Sequence, residues 1–159
     1  MNNNRDKKQP NMQIIENNSS YWIREPEVLL VCSSISFVIP IIIIMGRDSL
    51  YVINNMLFGG LSLIISIVST ISWLDPKNVN KRKIDKIVAH TGAFFYSIRG
   101  IAVIRGTAVS FGVLIWLFMT FSFYQSLARF SRGDKMWLAS HARFHICVTT
   151  GMSLVVTNS

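Results

Sequence analysis

Short polar connections divide this sequence into five long apolar runs, and that spacing leaves few folds open. A helix that crosses a bilayer needs about 20 mainly apolar residues, whereas a water-soluble core is built from shorter amphipathic stretches. The first run is Val28 to Met45, with Pro40 inside it, a residue that membrane helices tolerate. The second is Leu50 to Leu74, with Asn54 and Asn55 near its start and Gly59-Gly60 permitting close packing. The third, Ile84 to Ile104, carries Asp85, Lys86, His90 and Arg99; the fourth is Thr107 to Ala128 and the fifth Trp137 to Val156. The pattern predicts an all-α fold, a polytopic transmembrane helical bundle of five spans over residues 27–159. Residues 1–26 are polar and Asn-rich and read as a disordered tail rather than a secretory leader. Half of the chain is hydrophobic and only 15% is charged, below the quarter usual in soluble proteins.

The net charge is +8, and the basic residues sit in the connections. That placement fits contact with anionic membrane lipids. It does not fit nucleic-acid binding, for which a basic helix, a zinc finger or an aromatic–basic motif is expected. With five crossings, twelve of the sixteen Lys and Arg fall on one side: Arg5, Lys7, Lys8 and Arg24, then Lys77, Lys81, Arg82, Lys83 and Lys86, then Arg129, Arg132 and Lys135. Only Arg47 and Arg105 fall on the other, so the N-terminus is expected to be cytoplasmic and the C-terminus non-cytoplasmic. The same count supports the third span, because without it the connection 129–135 would change sides. Cys32 and Cys147 show neither disulfide nor metal spacing and read as small buried hydrophobes. Ala89-x-x-x-Ala93 and Ala102-x-x-x-Gly106 permit close helix packing within one chain or in a homo-oligomer.

Ionisable groups inside a span are expensive and point to function. The fifth run contains His141-Ala-Arg-Phe-His145, an i,i+4 pair on one helix face, about 6 Å apart along the axis. Two imidazoles at that spacing can hold one zinc ion. The topology places Ser69, Trp73, Asp85, His90, His141 and His145 in the same leaflet, so all three histidines of the chain share it. Three histidines are the protein ligands of some catalytic zinc sites. The plainer reading has His141 and His145 bonded to carbonyls or hydroxyls of spans two and three, and His90 as a packing or interfacial residue. In that reading Asp85 caps the start of span three, Trp73 and Trp137 are interfacial anchors, and Arg99 and Arg143 snorkel toward opposite interfaces.

These residues resemble the pattern of the CREST superfamily, the membrane hydrolases that include alkaline ceramidases and the progestin and adiponectin receptors. The family has Ser-x-x-x-His near the end of an early span, an Asp about a dozen residues later and His-x-x-x-His in the last span. Here the serine corresponds to Ser69 in STISW, the aspartate to Asp85 in KIDKI and the pair to His141 and His145 in HARFHICVTTG. The resemblance covers residues 66–90 and 137–151. It implies a zinc-dependent hydrolysis of a lipid amide or ester, with Asp85 acting on the metal-bound water and Ser69 assisting at the oxyanion. A ceramide-like lipid substrate would enter from the bilayer. The family has His where Trp73 stands, and seven spans rather than five. A zinc ion would therefore need His90 or Asp85 as its further ligand. Three functional classes follow: such a hydrolase, a non-catalytic structural or interaction protein with a degenerate site, and a small transporter subunit. The spans lack the paired broken helices or charge rings expected of the last.

Overall fold

A computed structural model describes residues 27–159, and among the described residues every regular element is helical. Helix α1 is Val28–Ile35, a 3₁₀ turn covers Ser36–Val38, and α2 is Ile39–Met45. Then follow α3 (Ser49–Leu74), α4 (Val79–Val103), α5 (Thr107–Ser131) and α6 (Trp137–Thr157). The 3₁₀ turn has its cause in Pro40, which has no N–H to offer the Ser36 carbonyl and whose ring crowds it. The chain tightens ahead of the proline instead of breaking, so Val28–Met45 remains one apolar segment of 18 residues.

Side chains cap the starts of two of the helices. Asp48 accepts the Tyr51 amide at 2.9 Å and opens α3. Asn78 accepts the amides of Asn80 and Lys81 at 3.1 and 3.2 Å and opens α4. Each such cap contributes about 1 kcal/mol. Asp85 therefore caps nothing: it lies inside α4. Asp75, at the C-terminal end of α3, is held by Lys81 at 2.7 Å, and that ammonium keeps its carboxyl below the usual range. Helix α5 ends at Gly133, whose φ of 70° lets the amides of Gly133 and Asp134 fold back onto the carbonyls of Phe130 and Arg129, each at 3.0 Å.

The α1–α2 segment lies between α3 and α6; α4 flanks α3 and α5 packs chiefly on α6. One apolar cluster joins Phe37, Ile44, Ile65, Tyr96, Met152, Val155 and Val156. A second, at the opposite end, joins Leu30, Trp73, Trp137 and Ala142. Two glycines permit close approach: a Cβ on Gly59 would press on Ile41 and Ile44, and one on Gly92 would collide with Ile65 Cδ1. The Ala89–Ala93 face lies exposed instead.

The distribution of polarity is the reverse of a soluble protein's. Ser33, Ser34, Asn55, Ser62, Ser66, Ser69, Ser72, Ser122, Ser126, Ser140, His145 and Thr149 are buried. Ile101 (81% exposed), Met56 (71%), Leu57 (70%) and Phe118 (63%) face outward, with many other large apolar side chains. Soluble monomers rarely expose such continuous apolar surface, whereas small polar residues between helices and apolar residues outside are how helices associate in lipid. Three segments are long and apolar enough to cross a membrane: Val28–Met45, Ser49–Leu74 and Thr107–Ser131. Helices α4 and α6, with 25 and 21 residues, have the length but less apolarity. The residues that lower it include His90 and Arg99 in α4 and His141, Arg143 and His145 in α6. The two tryptophans expected at an interface are buried instead, each 7% exposed, with ring centroids 6.3 Å apart. Cys32, expected to be buried, is exposed on the outer face, and Cys147 is partly buried.

Candidate functional site: a serine–histidine cluster at the basic end

Four helix ends meet where the basic connections lie. At a rise of about 1.5 Å per residue, Ser34 and Asp85 sit about 9 Å from the starts of α1 and α4, Ser69 about 8 Å from the end of α3, and His145 about 12 Å from the start of α6. With His141 one turn nearer the start of α6, at about 6 Å, four of the five sequence-predicted residues lie within about 6–12 Å of this end.

His145 is the hub. Its Nδ1 lies 2.9 Å from Ser33 Oγ and 3.4 Å from Ser34 Oγ. Ser34 Oγ lies 3.1 Å from Ser69 Oγ and also donates to the Leu30 carbonyl at 2.8 Å. Ser66 donates to the Ser34 carbonyl at 3.1 Å. The Asp85 carboxyl faces the hydroxyls of Ser69 and Ser72 from α4. One turn before His145, the His141 ring stands 4.8 Å from it centroid to centroid, with Nδ1 3.3 Å from Ser126 Oγ of α5. Phe37 closes the other face of His145 at 5.1 Å. Ser36 and Thr149, at 2.9 Å, extend the hydroxyl network toward the middle of the bundle.

His90 is not part of this group. It lies exposed on the outer face of α4, with Nδ1 2.5 Å from the Lys86 carbonyl. Trp73 is part of it: its indole meets His141 edge-on at 5.3 Å, and its buried Nε1 has no hydrogen-bond partner among the described residues. Ser33, Ser34 and Ser126 were missed by the sequence reading. Their signal is a small polar residue inside an apolar run, where a hydroxyl must find a partner within the bundle.

What this arrangement can hold follows from its donors. Both imidazoles use Nδ1 toward serines, and among the described residues no hydrogen bond engages either Nε2. That is how a metal-ligating histidine is oriented from behind. A catalytic zinc site needs three protein ligands. Among the described residues no three His, Cys, Asp or Glu side chains gather around one point, and an indole has no lone pair to offer where Trp73 stands. The donor set therefore does not fit the ion that the resemblance implies. The cluster is also closed: Ser34, Ser69, Ser72 and His145 are 0–4% exposed. A cavity of about 240 Å³ opens elsewhere, between Glu27, Phe130, Gly133, Lys135, Trp137 and Leu138.

No family model, curated protein or solved structure matches this chain.

Proposed function

We propose that this chain is a multi-pass membrane protein of five crossings, with its basic end cytoplasmic, whose serine–histidine cluster works as a sealed polar core. In this reading the CREST-like residues Ser69, Asp85, His141 and His145 join helices to one another and do not turn over a substrate. The protein is then a non-catalytic structural or interaction protein. The observation that carries this is Trp73, packed on His141 where the family's pattern has a ligating nitrogen. The decisive measurement is metal content of the full chain purified in detergent. Wild type is expected to carry no stoichiometric zinc, and Trp73→His, which supplies a third imidazole beside the pair, is expected to approach about one per chain. About one zinc in wild type, lost on His141→Ala with His145→Ala, would overturn the reading.

A second reading is favoured by two observations: both Nε2 atoms are without a hydrogen bond among the described residues, and Ser69 stands between Ser34, beside His145, and the Asp85 carboxyl. It makes the protein a zinc-dependent lipid amide or ester hydrolase, with the Asp85 carboxylate closing on the histidines as the third donor. Release of fatty acid from a ceramide-like amide, abolished by Asp85→Asn, would establish it.

A further inference from the structure

A second polar constellation lies between α5 and α6 at the same end of the bundle, and it is built from cations. Arg129 Nη1 and Arg143 Nη2 both donate to Ser140 Oγ, each at 3.2 Å. The two guanidinium nitrogens therefore lie within twice that distance of each other. Ser140 is fully buried and passes its own proton to Gln125 Oε1 at 3.1 Å or to the Met136 carbonyl at 3.2 Å. Gln125 Oε1 also accepts from Arg143 Nη2 at 2.9 Å. A buried hydroxyl and an amide oxygen thus fix two positive charges side by side.

Like charges held this close repel unless an anion joins them. The hairpin from Gln125 to His145 contains four cations, Arg129, Arg132, Lys135 and Arg143, and a single carboxylate, Asp134. Asp134 stands 3.9 Å from Arg129 Nε, and among the described residues Arg143 has no carboxylate partner. Nη2 of Arg129 and Nη1 of Arg143 carry no hydrogen bond among the described residues, so each fork keeps donors for a further ligand. Arg143 is exposed, and its side chain turns back to Ala139 and Ser140, toward the start of α6 and the basic end. Planar guanidinium forks match the oxygens of a phosphate, and in the proposed topology these two lie at the basic end of the bundle, where lipid headgroups would reach them.

We propose that Arg129 and Arg143, set by Ser140 and Gln125, form a binding site for the phosphate of an anionic phospholipid headgroup. The site is separate from the histidine cluster and holds whether or not that cluster takes a metal. The test uses the full chain in neutral phosphatidylcholine nanodiscs doped with phosphatidylglycerol, with retained lipid read by native mass spectrometry. Wild type is expected to retain one phosphatidylglycerol in preference to phosphatidylcholine. Arg129→Gln and Arg143→Gln are each expected to weaken that preference about fivefold. Arg47→Gln and Arg105→Gln, which remove the same charge at the opposite end, are expected to leave it unchanged. The paired variant Arg129→Lys with Arg143→Lys keeps the charge and loses the fork, and is expected to fall between. Equal losses in all four Gln variants would overturn the site in favour of diffuse charge attraction. Displacement of the lipid by inorganic phosphate alone would overturn the headgroup assignment in favour of a free anion.

Discussion

Ser33 Oγ and His145 Nδ1 lie 2.9 Å apart and join the first helix to the last across 112 residues of sequence. Both groups are buried, and each has one further partner: Ser33 Oγ also donates to the Leu30 carbonyl at 3.0 Å, and His145 Nδ1 also faces Ser34 Oγ at 3.4 Å. Hydrogen bonds between membrane helices average about 0.6 kcal/mol and reach about 1.7. Ser33→Ala is expected to destabilise the bundle within that range, measured by unfolding in mixed micelles. Ser34→Ala is expected to cost as much or more, because both serines donate to the Leu30 carbonyl but Ser34 meets Ser69 of α3 as well as His145. His90→Ala, whose imidazole bonds only within its own helix among the described residues, is expected to change stability by less than about 0.5 kcal/mol. A His90→Ala effect as large as that of Ser33→Ala would contradict the placement of His90.

The contrast between His90 and the other two histidines was available from helical geometry. Residues 141 and 145 lie about 40° apart around a helix, while 85 and 90 lie about 140° apart. If Asp85 faces inward, His90 faces out, and leaflet depth alone could not reveal it. The helices themselves were legible because long apolar runs admit little else. Burial of Trp73 and Trp137 was not legible: an indole near a span end suits an interface as well as a core, and only the facing helices decide between them. The interior was partly legible. Asn55, Gly59, Ser62, Ser66, Ser69 and Trp73 recur along α3 at alternating four- and three-residue steps, the spacing of one helix face. Within an apolar run, that small and polar stripe marks the side turned to other helices.

Two glycines of similar sequence context are expected to respond in opposite directions. A Cβ at Gly92 meets Ile65 Cδ1, so Gly92→Ala forces α3 and α4 apart and is expected to cost about 1–3 kcal/mol. Ile65→Val removes the Cδ1 atom it meets, so adding it to Gly92→Ala should restore part of the loss, giving a favourable coupling in a double-mutant cycle. Among the described residues nothing lies within 4 Å of a Cβ at Gly60, so Gly60→Ala should gain up to about 1 kcal/mol of helix propensity. Equal responses at the two positions would refute the packing of α4 on α3.

Gly133 carries a different constraint, set by backbone and not by space. Its φ of 70° lies where an L side chain meets the neighbouring backbone. Gly133→Ala is expected to cost about 1 kcal/mol, and Gly133→Asn less, since asparagine tolerates the left-handed region. The turn also sets Arg129 against the start of α6. Gly133→Ala should therefore weaken retention of anionic lipid as well as stability, both measurable on the same sample.

Whether α4 crosses decides the proposed five-span topology, because this helix has the length to span but less apolarity than Val28–Met45, α3 and α5. Its charges are placed to permit it. Lys81, Arg82, Lys83 and Lys86 fall in its first turns, which the five-crossing proposal puts at headgroup depth, and Arg99 lies one turn from its far end. Arg99 reaches Ser159 Oγ at 3.4 Å and stands over the Phe58 ring at 5.7 Å, so its charge is directed to the far surface and its stem lies on apolar side chains. Residues 87–98 between them span about 18 Å without a formal charge. Single cysteines placed in a Cys32→Ser, Cys147→Ser background test the outcome in sealed vesicles with a membrane-impermeant thiol reagent. Lys77→Cys and Arg132→Cys are expected to label from one side, and Arg47→Cys and Arg105→Cys from the other. If Lys77→Cys and Arg105→Cys label from the same side, α4 does not cross. The basic connection after α5 would then lie opposite Lys77, and the charge asymmetry on which the proposed orientation rests would be lost.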